Sequence, residues 1–198
     1  MADFMLRYRG ELTSNGNAKQ KGRIRRGISP QLEELCAVDP LFSAARQVNV
    51  TRGTIEKGQL SPGPITENLF CVVNIGGYDF IPIVGSLHKL VAELDIIFLR
   101  RGPRGSLIKH GGDLDNRIKT LLDALRMPHD VSELGEPPAT QEGERLFCLL
   151  EDDALITKVS VDTFQLLEPA GVGRDTDVDL LIHVTVRSSA PIMANAGF

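Results

Sequence analysis

Apolar and polar residues alternate near both ends of the chain. Phe4, Leu6 and Tyr8 alternate with Arg7 and Arg9 and predict a first strand. Val178, Leu180, Ile182, Val184 and Val186 predict a last strand, the cleanest such pattern in the sequence. Leu155, Thr157, Val159 and Val161 predict another. Residues 70–75 and 78–84 are apolar and β-prone around Gly76-Gly77, which predicts a hairpin. The stretch 90–99 ends in Ile96-Ile97-Phe98-Leu99 and reads as a central strand. A different period governs 114–126, where Leu114, Ile118, Leu121, Leu122 and Leu125 fall on one face of a helix that Pro128 ends.

Between these elements the pattern is punctuated. Ser14-Asn15-Gly16-Asn17 breaks the first strand, and 18–27 reads as a basic loop. Ser29-Pro30 predicts a short helix to about Cys36, and Asp39-Pro40 another to about Gln47. Residues 51–67 are rich in Gly, Pro and Thr and read as loop. Residues 128–145 form an acidic, Pro/Gly-rich insertion of the kind that makes a mobile loop. The expected fold is therefore a single α/β (α+β) domain over 1–187, a mixed β-sheet packed by helices, with a flexible tail at 188–198.

Composition narrows the class. The chain has 198 residues, 42% hydrophobic and 24% charged, enough for one domain to bury its own core. No run approaches the roughly 20 apolar residues of a membrane span, and the opening segment, with Asp3, does not read as a signal peptide. The three cysteines, at 36, 71 and 148, have no paired spacing, which predicts a cytoplasmic protein without disulfides.

The net charge of −4 hides an asymmetry. Residues 1–58 hold ten Lys/Arg against six Asp/Glu, whereas 110–198 hold seven against sixteen. Lys19, Lys21, Arg23, Arg25 and Arg26 form one basic cluster, and Arg100, Arg101 and Arg104 a second. Such clusters suit a phosphate backbone; solvated loops are the plain alternative.

The remaining chemistry is acidic. There is no phosphate-binding Gly loop ending in Lys-Ser/Thr, no His-Glu-x-x-His and no Gly-x-Ser-x-Gly, and the four histidines are scattered. Asp113 and Asp115 lie at the start of the strongest helix, with Lys119 and Asp123 following at four-residue spacing on its polar face. Glu151-Asp152-Asp153 immediately precedes a predicted strand. If that strand lies beside the helix start, three or four carboxylates converge, a hard oxygen set that suits Mg²⁺ or Mn²⁺ and phosphoryl chemistry. Lys119 would then offset charge on the phosphate. The same residues also read as an N-cap, a partner for the helix dipole and an acidic turn.

The string Asp113-Leu-Asp115-Asn116-x-x-Lys119-x-x-x-Asp123-Ala124-Leu125, with Asp152-Asp153-x-x-Ile156 after it, resembles the motif of the RusA-type Holliday junction resolvases. The resemblance covers 113–156 and, with the strand before it, about a third of the chain. It implies a small α/β fold, a homodimer, and Mg²⁺-dependent nicking of four-way DNA junctions. By position it implies Asp113, Asp115 and Asp153 as metal ligands, with Asp152 their neighbour. It likewise implies Asn116 as an orienting group and Lys119 as the group that stabilises the scissile phosphate. Two other functions fit the same residues: a nucleic-acid-binding protein that does not cut, and a Mg²⁺-dependent enzyme for a small phosphorylated substrate.

Overall fold

The computed structural model describes residues 1–47, 51–56, 59–62, 70–101, 114–135, 145–168, 173–192 and 195–198. The alternating segments form strands where the pattern predicts them. β1 (Ala2–Glu11) pairs antiparallel with β9 (Asp177–Ser188), β9 antiparallel with β6 (Leu90–Arg100), and β6 parallel with β8 (Ile156–Gln165). The register sets Leu6 opposite Ile182 and Leu94 opposite Val184, so one face of β1, β9 and β6 is continuously apolar and largely buried.

The strands do not form one mixed sheet, as the sequence pattern suggested, but two. The second has the order β3 (Gln59–Pro62), β2 (Thr51–Glu56), β4 (Val72–Ile75), β5 (Tyr78–Val84), β7 (Arg145–Leu150). The chain leaves this sheet through a 3-10 turn at Ser86–His88 and enters the first through Lys89, which caps the turn in the left-handed conformation at φ 54°. The hairpin at Gly76-Gly77 forms as expected, with φ of 60° and 89° at the two glycines. Segment 51–67 is not simply loop: it contributes β2 and β3, because pairing with β4 supplies an order that its local composition does not announce.

The largest departure is at 18–38. The expected basic loop and short helix are one helix, α1 (Ala18–Val38). Asn17 caps it by accepting from the Gln20 N–H at 3.0 Å. Ile24, Ile28, Leu32 and Cys36, each four residues apart, are buried along its inner face. This stripe carries the helix through Pro30, which sits on the exposed side. Asp39 ends α1 rather than opening another helix, and only a 3-10 turn follows at Ser43–Gln47.

α2 (Leu114–Leu125) is the expected amphipathic helix, and its Leu121, Ala124 and Leu125 enter the main core. That core also takes Ile81, Ile83, Phe147 and Leu149 from one face of the second sheet. The other face of that sheet, with Val73, Ile75, Phe80, Leu146 and Cys148, is covered by Met127 and Leu134. The two helices and two sheets make one mixed α+β domain. The end of the chain does not fray: Asn195 is buried and donates to the His88 carbonyl at 2.8 Å, and Phe198 packs on Phe42.

Candidate functional site

α2 and the strand that follows it carry the acidic motif. Asp115 is exposed in the first turn of α2, where its Oδ1 accepts from the Asn116 N–H at 2.8 Å. Lys119 is exposed one turn later. Thr120, on the buried side, accepts from the Gly16 N–H at 3.0 Å and so ties α2 to the turn before α1. Asp123 does not face the solvent as a free carboxylate: it pairs with Lys21 at 2.6 Å across the two helices.

The Glu151-Asp152-Asp153 segment folds as a tight turn against α2. Asp152 caps this turn by accepting from the Ala154 N–H at 2.9 Å. Glu151 turns away and accepts from both the N–H and the hydroxyl of Ser86, at 2.7 and 2.8 Å. The ties between the Asp pair and its surroundings run to residues just past the end of α2. Asp152 lies 3.8 Å from His129 Nε2, and the Asp153 charge acts on Arg126. The backbone agrees, since the Met127 N–H donates to the Leu150 carbonyl at 2.9 Å. At 1.5 Å per residue, Arg126 is about 16 Å along the helix axis from Asp115.

The carboxylates thus flank α2 rather than crowding its start. Among the described residues no three His, Cys, Asp or Glu side chains are grouped so as to hold a metal. Asp113, the third ligand implied by the motif, lies outside the described residues, as does Arg104. The donor chemistry of Asp115, Asp152 and Asp153, all carboxylate oxygen, fits a hard divalent cation. Asp115 and Asp153 are both exposed carboxylates of that chemistry, but the described residues do not bring them into one ligand set.

The basic residues divide into two groups. Arg25 is buried and serves the fold: it donates to the carbonyls of Arg126 and Asp123 at 3.0 and 3.2 Å, and burial pulls its pKa down. It is therefore not a surface phosphate contact, and Lys21 is held by Asp123. Arg100 is buried, and Arg101 is bonded to Glu168, which also takes Arg9. Lys19 and half-exposed Arg23 remain at the surface, lining a cleft of about 250 Å³ with Glu11, Thr13, Asn15, Asn17 and Gln20. Arg26 borders a separate crevice with Tyr78 and Leu134.

His129 is the neighbour that the sequence did not single out. It stands in the first part of the 128–145 insertion, half of which lies outside the described residues. The described part is docked, not loose. Glu133 accepts from Arg126 at 2.9 and 3.1 Å and from the His129 N–H at 3.0 Å, while Asp130 accepts from Ser132. Gly135, at φ 78°, lies so close to α1 that a Cβ there would stand 2.7 Å from the Ala18 carbonyl oxygen. No spacing rule pairs His129 with Asp152, because the contact depends on how the insertion folds.

All three cysteines are buried and none is in a disulfide, and burial pushes the Cys148 thiol up to about 12. Among the described residues no helix is long and apolar enough to cross a membrane. No family model matches the chain, and neither a curated protein nor a solved structure matches it.

Proposed function

We propose that the chain is a Mg²⁺-dependent, structure-selective endonuclease that nicks four-way DNA junctions. One observation carries this reading: the Asp152-Asp153 turn is folded against the same helix that presents Asp115, Asn116 and Lys119. The motif's two halves, far apart in sequence, thus lie along one helix, Asp115 in its first turn and Asp152-Asp153 beside its end. A bound divalent cation would supply Lewis acidity at the phosphate and lower the pKa of its water. The chain's own residues have distinct parts. Asp113 and Asp115 would hold the cation at the start of α2, Asp153 would have to approach it from the far end of the helix, and Asp152 keeps its turn in shape through its cap. Lys119, exposed one turn beyond Asp115, would offset the growing charge on the scissile phosphate. Lys19 and Arg23 would meet the phosphate backbone along the cleft at the start of α1. A homodimer would present two such sites to a substrate with two-fold symmetry.

Asp115→Asn is the direct test, with a labelled four-way junction, a matched duplex and a single strand, each with Mg²⁺ and with EDTA. The expected result is paired nicks in the junction only, abolished by EDTA and by the substitution, with junction binding retained. Cutting that survives Asp115→Asn would refute the assignment.

A second reading, binding without cutting, draws on the engagement of the described carboxylates in a cap, a helix turn and an ion pair. It expects binding that weakens steeply with salt and does not respond to EDTA.

A further inference from the structure

We infer that two copies of this chain join edge to edge through β8, making one continuous eight-stranded sheet across a two-fold axis at Ser160. The four-stranded sheet ends in β1 on one side and β8 on the other. The β1 edge is closed by α1: the Gln31 side chain accepts from the Arg7 N–H at 2.9 Å and donates to the Arg7 carbonyl at 2.8 Å, standing in for a strand. α1 also serves β7, the end strand of the second sheet, where the Phe147 N–H donates to Ser29 Oγ at 2.9 Å. β8 is treated differently. It is ten residues long, contains no Pro or Gly, and is largely exposed, and no described strand lies on its outer side. An open edge of this length is a template for another strand.

The side chains of β8 select the occupant and the register. Lys158, Ser160, Asp162 and Phe164 share one face of the strand, and Thr157, Val159, Val161 and Thr163 the other. In an antiparallel pairing about Ser160, Lys158 stands opposite the partner's Asp162 and, by symmetry, Asp162 opposite the partner's Lys158. On the other face Val159 meets the partner's Val161, and Thr157 meets the partner's Thr163. Opposite charges, β-branched pairs and Thr pairs are the favourable cross-strand neighbours. Sliding the strands by two residues sets Lys158 against Phe164 or Ser160 and loses both charge pairs. Lys158 already bonds Asp95 at 2.8 Å, which holds its ammonium over the sheet face where a second carboxylate can reach it. The self-complementary pattern points to a second copy rather than to an unrelated strand. The pairing does not depend on the nuclease reading, because its readout is association and not cutting.

Sedimentation across the micromolar range, with cysteine cross-linking, tests it. The wild type is expected to dimerise. Asp162→Lys, which sets two lysines against each other twice per dimer, is expected to weaken association by about tenfold. Its far-UV spectrum and melting should not change, because Asp162 is exposed. Ser160→Cys lies on the axis and should form an intermolecular disulfide on mild oxidation. Phe164→Cys should not, since its counterpart would be about 26 Å away. The native cysteines are buried and do not compete. A monomer throughout the range overturns the inference, and so does a dimer unaffected by Asp162→Lys. A dimer in which Ser160→Cys fails to link also overturns it, and this arm stands even if the lysine variant does not fold.

Discussion

Replacing Glu133 by Gln tests how the start of the insertion is held beside the Asp152-Asp153 turn. Both Glu133 oxygens accept from Arg126, at 2.9 and 3.1 Å, and one also accepts from the His129 N–H at 3.0 Å. The Arg126 side chain is only 7% exposed, so little water replaces a lost partner; that of Glu133 is 31% exposed, which screens the pair in part. Hydrogen bonds to charged groups contribute about 1.5–3 kcal/mol, and breaking a fully buried pair costs about 3–5 kcal/mol. Gln keeps the shape and one acceptor, and Asp123 lies 3.9 Å from Arg126 as a second carboxylate. The expected loss is therefore below those limits, about 1–2 kcal/mol. Urea unfolding should show a lower midpoint with an unchanged slope.

The pH dependence adds a sign. Burial alone would raise the Glu133 carboxyl, but the hydrogen bonds from Arg126 and the His129 N–H, with the Arg126 charge, outweigh it and hold the pKa below the ordinary value. A depressed folded pKa stabilises fully above the unfolded pKa, and that stability is lost as pH falls through the folded value. Wild type and Glu133→Gln should therefore differ at neutral pH and converge as pH falls through the depressed folded value, below the ordinary glutamate range. A difference of the same size at pH 7 and pH 3 would show that charge is not what holds the insertion, and no difference at pH 7 would refute the ion pair altogether.

Two further substitutions probe packing. Leu121 is fully buried where α2 meets the main core, so Leu121→Ala should cost about 2–5 kcal/mol in urea unfolding; a loss under about 1 kcal/mol would mean that α2 is not seated as described. Gly135→Ala combines a left-handed φ of 78° with a Cβ 2.7 Å from backbone that cannot swing aside, and should cost about 1–3 kcal/mol. Amide exchange should speed up at 131–135 before it does in the core strands, and unchanged exchange there would argue against the docking on α1.

The strongest periodicities were legible. α2 and β9 each repeat an apolar spacing over a dozen residues, and burial of one face follows from that spacing alone. The hairpin was legible for a different reason, because adjacent glycines at positive φ suit few other structures. The order Asp115, Asn116, Lys119 along one helix was likewise readable, since a helix converts spacing directly into position. α1 was misread because Pro30 and the run of Lys and Arg are stronger local signals than the stripe Ile24, Ile28, Leu32, Cys36. The tertiary contacts of that stripe outweighed them.

The chain's sequence by itself determined which segments are strands or helices wherever one face had to be apolar, because that requirement is local. Tertiary structure alone decided what each polar group does. Arg25 and Arg23 are alike in sequence, yet one is buried against the end of α2 and the other half exposed at a cleft, since only the crossing of two helices separates them. His129 meets Asp152 only through the fold of an insertion. β8 alternates like an interior strand, and its role as an open edge follows from strand order, which depends on pairings between residues far apart in the chain.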